Sequence, residues 1–155
     1  MMKFEIPKGE SFEIEYLIFD YNGTVANNGM IYTNVLKRLN SYNNLEIFII
    51  TADTYGTVKE ELKGSNIKVK IISKENGSID KLNFLKELGS ENVIAFGNGS
   101  NDRLMLEEAS IGICVIGKEG ASIKALMASD LVVNSIDDAL DYIDHPNKIV
   151  AGLRE

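Results

Sequence analysis

The chain has 155 residues, 45% of them hydrophobic and 25% charged, with 16 Lys and Arg against 23 Asp and Glu for a formal charge of −7. This length and apolar fraction suit one globular domain, residues 1–155, that buries well over half of its unfolded surface. The acidic balance and the lack of a basic patch exclude nucleic acid and an anionic membrane as partners; the lone Cys114, with neither a leader nor an apolar run of about 18 residues, reads as cytoplasmic.

In chain order, weak alternation in Phe4-Glu5-Ile6 and Phe12-Glu13-Ile14, interrupted by Pro7 and Gly9, predicts a short edge strand or hairpin ahead of the core. Continuous apolar runs then predict strands near 15–20, 45–51, 67–72, 92–96, 111–116 and 130–133. Helical periodicity predicts helices near 32–42, 55–64, 79–88, 101–109, 119–127 and 135–143. Thr33, Thr54, Ser78 and Ser135 suit N-caps, and Gly64 and Gly89 suit C-terminal caps. Asn27-Asn28-Gly29 predicts a small β-hairpin after the first core strand, protruding over the strand ends. Strands apolar throughout are covered on both faces, so the fold class is α/β: a doubly wound, Rossmann-like parallel sheet with no room for a separate cap domain.

Three strands end in polar tips: Leu17-Ile18-Phe19-Asp20-Tyr21-Asn22-Gly23-Thr24, then Ile47-Phe48-Ile49-Ile50-Thr51, then Val93-Ile94-Ala95-Phe96-Gly97-Asn98-Gly99-Ser100-Asn101-Asp102. In an open parallel sheet such tips gather along one edge, where ligands bind. An ionised Asp beside apolar core needs a partner. With Gly23 to turn the chain and hydroxyls at Thr24 and Thr51, the tips predict a phosphate site with a cation. Other residues read as structural. Asp53 suits a helix cap, His145 a surface position, Cys114 a core position, Leu104-Met105-Leu106 helix packing, and Gly117 and Gly120-Ala121-Ser122 a turn. Gly97-Asn98-Gly99 lacks the third glycine of a dinucleotide fingerprint.

Phe19-Asp20-Tyr21-Asn22-Gly23-Thr24, Thr51, a lysine before the fourth strand, and Gly97-Asn98-Gly99-Ser100-Asn101-Asp102 resemble, in that order, the four motifs of the haloacid dehalogenase superfamily of phosphohydrolases. Over about residues 14–134 the chain is similar to the capless, stand-alone members that resemble the phosphorylation domain of P-type ATPases. The resemblance implies an aspartyl-phosphate on Asp20, with Mg²⁺ held by Asp20, the Asn22 carbonyl, and Asn98 or Asp102. Thr51, Ala52 and the amides of Asn22 and Gly23 would bind the phosphoryl oxygens. Lys81 is the preferred lysine, ahead of Lys74 and Lys86.

Two positions depart from the motifs. Asn22 stands where the phosphatases carry their acid/base aspartate, and an amide exchanges no proton near neutral pH. Asn98 stands where they carry a metal-binding aspartate. The expectation is a slow Mg²⁺-dependent phosphohydrolase acting on a small phosphate monoester. The alternative is a non-catalytic regulatory domain that binds phosphate or a partner. Capless relatives often cover their sites by oligomerising, so a homo-oligomer is expected by analogy.

Overall fold

Residues that are apolar at every position of a strand must be covered from both sides. The computed structural model, which describes residues 1–53 and 56–155, builds such a sandwich. Strands β1 (Met2–Glu5) and β2 (Ser11–Ile14) pair as an antiparallel ribbon ahead of the core. There follow β3 (Tyr16–Asp20), the two-residue strands β4 (Ala26–Asn27) and β5 (Met30–Ile31), α1 (Thr33–Ser41), β6 (Glu46–Thr51), α2 (Thr57–Glu61), β7 (Lys68–Ile71) and α3 (Gly77–Leu88). The second half contributes β8 (Val93–Gly97), α4 (Arg103–Glu108), β9 (Ile111–Val115), α5 (Ile123–Met127), β10 (Leu131–Val133), α6 (Ile136–Asp144) and α7 (Asn147–Leu153).

The core sheet has the order β10-β9-β8-β3-β6-β7, every pair parallel. Successive side chains point to opposite faces. Leu17, Phe19, Ile49 and Phe96 accordingly join one apolar cluster with residues of α1, α2, α6 and α7, while Ile18, Ile50, Ala95 and Cys114 join the other with residues of α3, α4 and α5. The chain leaves β3 toward β6 on one side and later returns to β8 on the other. The order therefore reverses between β3 and β8, and a doubly wound sheet opens its binding crevice at that point. Phe19 and Phe96 stack across it, centroids 4.3 Å apart and planes 7° apart.

The predicted strands agree with β3 and β6–β10 to within about a residue at each end. Capping departs more. Ser135 caps α6, accepting from the Asp138 amide, as expected. Thr33 lies inside α1, whose N-cap is Tyr32, and Ser78 is the second residue of α3. The loop before α3 is instead tied by the Asp80 carboxylate, which accepts from the amide and hydroxyl of Ser73. Asp53 accepts from the Val58 amide and the Thr57 hydroxyl, the cap role read from its position. The expectation for Thr54 lies outside the described residues. Helix α7 has no counterpart in the predicted elements; Pro146, with Ile149 and Leu153 four apart, is the signal that marks it.

The Asn28-Gly29 turn joins β4 and β5 with φ of 52° and 75°, both positive as a type I′ hairpin requires. Tyr21 anchors it: its hydroxyl donates to Glu61 at 2.5 Å and lies 3.0 Å from Gly29 O, and Glu61 accepts from the Ile31 amide.

Candidate active site

Asp20 ends β3, Thr51 ends β6, and Asn98–Asp102 follow β8, so the reversal of strand order brings the three polar tips to one edge. Asp20, Thr51, Asn98, Gly99 and Asn101 line a cavity of about 520 Å³ together with Asn22, Ala52, Lys81 and the loop from Ile72 to Ser78.

The centre is one lysine between two carboxylates. Lys81 projects from α3 and is 1% exposed; its Nζ donates to Asp20 Oδ1 at 2.7 Å and to Asp102 Oδ1 at 2.5 Å. A solvated helix position would leave it free, and a buried ammonium persists only when paired. Of the rival lysines, Lys86 lies 3.9 Å from Glu108 and half-exposed, away from the cavity. Lys74 lines the cavity on the exposed loop.

Asp102 is completely buried, and both its oxygens are engaged: Oδ1 by Lys81, and Oδ2 by the amides of Asn98 and Gly99 at 3.0 and 2.9 Å. Gly97 makes this approach feasible, since a Cβ there would lie 2.6 Å from Asp102 Cβ. Asp20 keeps 13% exposure and has one oxygen on Lys81. Burial, then the negative charge of Asp102, pushes the Asp20 carboxyl up to about 7 against the opposing pull of Lys81. Burial works against the Lys81 ammonium, but the two carboxylates outweigh it and raise its pKa.

Beyond Asp20 the chain folds tightly: the Tyr21 carbonyl accepts from the amides of Thr24, Val25 and Ala26. Gly23 adopts φ +81°, and a Cβ there would stand 2.3 Å from Asn98 Nδ2 and 2.8 Å from Glu119 Oε2, so the position favours glycine. Asn98 is a junction. Its Oδ1 accepts from the Thr24 hydroxyl at 3.4 Å, its Nδ2 donates to Gly120 O at 3.2 Å, and its carbonyl accepts from the Ser122 amide at 2.8 Å. A carboxylate at 98 could not make the bond to Gly120. The 117–122 segment, read as a turn, thus borders the site as well, and Ser122 caps α5. Sequence reasoning also missed the 72–78 wall. Its signal was its place directly after the third core strand.

The hairpin is displaced from its expected place. Ala26 and Asn27 line a neighbouring cavity of about 410 Å³ with Gly23, Thr24, Tyr32 and Lys118, not the cavity that holds Asp20.

For a metal, three of the residues expected to hold it, Asp20, Asn22 and Asn98, line this cavity and carry oxygen donors. Among the described residues no group of three or more His, Cys, Asp or Glu is gathered to hold an ion. Such a set suits a hard cation that keeps most of its waters, as Mg²⁺ does.

A model of haloacid dehalogenase-like hydrolases matches residues 73–139, a span that contains Lys81 and Asn98–Asp102. An uncharacterized protein of Methanocaldococcus jannaschii is 49% identical over 81 residues, which are 50% of this chain and 87% of that protein. Over residues 73–139 the chain matches the haloacid dehalogenase-like hydrolases. Among solved structures of this fold, the 3-deoxy-D-manno-octulosonate 8-phosphate phosphatase of Moraxella catarrhalis, in complex with magnesium, phosphate and sugar, superposes with a TM-score of 0.68 at 16% identity, over 91% of this chain and 94% of that one. A protein of Legionella pneumophila assigned to subfamily IIIA of the superfamily gives 0.70 at 16% identity, over 90% and 87%. No helix among the described residues is long and apolar enough to cross a membrane.

Proposed function

We propose that the chain is a Mg²⁺-dependent phosphohydrolase acting on small phosphorylated compounds through an aspartyl-phosphate on Asp20, with slow turnover. The observation that carries this is the buried Lys81 bridging Asp20 and Asp102 at the point where the strand order reverses. In this reading Asp20 attacks phosphorus in line with the departing oxygen, while Lys81 holds the nucleophilic carboxylate in place and offsets the charge that gathers there. Thr51, Ala52 and the Asn22 amide donate to the phosphoryl oxygens; the Gly23 amide, expected to join them, is instead spent on the Ala26 carbonyl at 2.9 Å.

Mg²⁺ would be held by Asp20, the Asn22 carbonyl and Asn98; when bound it screens the charge of the transferred group. Asp102, its oxygens already taken, holds Lys81 and the 97–102 loop in place rather than serving the ion directly. That ion stands in complex with the Moraxella phosphatase, which shares the fold. Asn22 can hydrogen-bond but cannot relay a proton, and loss of such help costs about 10²–10⁴-fold in rate. The same feature supports kinship with the pump phosphorylation domains, whose aspartyl-phosphate persists. The test is turnover of a panel of phosphate esters with Mg²⁺, repeated with Asp20→Asn. Loss of activity is expected, and activity unchanged by that substitution removes Asp20 from the mechanism.

A second reading, a binding domain without turnover, draws on the amides at both 22 and 98. Beryllium or aluminium fluoride with Mg²⁺ separates the two, since tight capture of a phosphoryl mimic requires a competent Asp20.

A further inference from the structure

We infer that the site is built for phosphoryl donors whose leaving group departs as a stable anion, acyl phosphates or phosphoanhydrides, rather than for esters of ordinary alcohols. The inference rests on the proposed role of Asp20. Transfer to Asp20 forms an Asp20 Oδ–P bond and breaks the bond from phosphorus to the leaving oxygen, which carries off the electron pair. An alkoxide is strongly basic and must be protonated as it leaves. A carboxylate, whose acid has a pKa of about 4, or a phosphate oxygen leaves without a proton.

Proton donors around the cavity are few. Among the described residues its titratable lining is Asp20, Lys74, Glu75 and Lys81; Glu119 lines the neighbouring cavity, on the far side of the Gly23 turn, where its Oε2 would stand 2.8 Å from a Cβ at Gly23. Asp20 is the nucleophile, and Lys81 is held between two carboxylates at 2.7 and 2.5 Å. Asp102 is completely buried with both oxygens bonded. Lys74 and Glu75 lie exposed on the 72–78 loop. Asn22, two residues beyond the nucleophile and exposed at the mouth, offers only an amide. No His, Cys or Tyr among the described residues lines this cavity. In the second half of the cycle water attacks phosphorus, the Asp20–phosphorus bond breaks, and the water proton leaves with the phosphate product or to solvent. That step too proceeds unaided, so the phosphorylated Asp20 accumulates whenever the donor loads it quickly.

The experiment compares acetyl phosphate, a nucleoside triphosphate, para-nitrophenyl phosphate and glycerol 3-phosphate at one Mg²⁺ concentration. It reads kcat/KM and, by intact-protein mass after acid quenching, the fraction of chain carrying a phosphoryl group. The expected result is a fall of about 100-fold or more from the better of the first two donors to glycerol 3-phosphate, with phosphorylated protein visible for that better donor. Whether acetyl phosphate or the triphosphate leads decides between an acyl phosphate and a phosphoanhydride. Asn22→Asp restores a proton donor and narrows the gap about tenfold or more by raising glycerol 3-phosphate turnover selectively.

Equal rates across the series overturn the inference, because they require a general acid. A gap that widens in Glu75→Gln or in Glu119→Gln also overturns it, by identifying that glutamate as the acid. Absence of any Asp20-dependent turnover or phosphorylation with every donor is a different result: it defeats the aspartyl-phosphate reading itself.

Discussion

Replacing Lys81 with methionine keeps the length of the side chain and deletes the one charge that separates two buried carboxylates. Asp102 is fully buried and Asp20 13% exposed, so neither can recover its lost partner from water. Removing one member of a buried ion pair costs roughly 3–5 kcal/mol, and for a chain of this length such a loss lowers Tm by roughly 6–20 °C. The pH dependence carries a second signature. In the wild type the Asp20 carboxyl, at about 7, is ionised in both folded and unfolded chains above that pH, so it adds no further slope there. Lys81 is the group that pulls this value down, so its loss moves the folded value higher still. The variant therefore goes on losing stability above pH 7, at up to about 1.4 kcal/mol per pH unit, while the wild type does not. Urea denaturation followed by circular dichroism at pH 6 and pH 8 measures both effects. A loss below about 1 kcal/mol, or the same loss at both pH values, refutes the argument that the triad is a buried, charge-balanced unit.

Other consequences follow from the same geometry. Asp20→Asn removes a carboxyl whose folded pKa of about 7 lies above its ordinary 3.8; the wild type binds more protons folded than unfolded in that window and loses stability as pH rises through it. Thermal melts from pH 4 to pH 8 without metal should show the variant gaining on the wild type up to about pH 7, and parallel curves would contradict the burial assigned to Asp20. Asn98→Asp adds a charge to the proposed ion site but forfeits the bond to Gly120 O, so calorimetry should find Mg²⁺ bound about tenfold more tightly while the metal-free protein loses about 1 kcal/mol. Unchanged affinity would place the ion elsewhere. Gly23→Ala forces a Cβ to 2.3 Å from Asn98 Nδ2 at φ +81° and should cost at least roughly 1–2 kcal/mol in chemical denaturation; a neutral result would mean that the Asp20 turn is adaptable.

What could be read from the chain alone divides by physical cause. Strands buried on both faces write themselves as unbroken apolar runs, so β3, β6, β8 and β9 were legible, and their polar ends located the crevice. The pairing of Lys81 with Asp20 spans 61 positions and that with Asp102 spans 21. Local spacing alone cannot reveal such contacts; family resemblance made Lys81 the first choice among three lysines. Asp102 was legible as a site acid, yet its full commitment to Lys81 and two amides depends on how the 97–102 loop closes, which no periodicity records. Ser78 satisfied every local rule for a cap, and the bonds of Asp80 to Ser73 set a different start to the helix. The hairpin was legible from Asn28-Gly29, but its direction was not, because Tyr21 and Glu61 draw it toward α2.

The central claim is that Asp20 receives the phosphoryl group. Incubation with Mg²⁺ and acetyl phosphate, quenching, reduction with borohydride and peptide mass spectrometry tests it directly, since borohydride converts an aspartyl-phosphate to homoserine. The account predicts homoserine at position 20 and its absence in Asp20→Asn. Borohydride labelling at any other carboxylate, or none at position 20 while phosphate is still released, would contradict it.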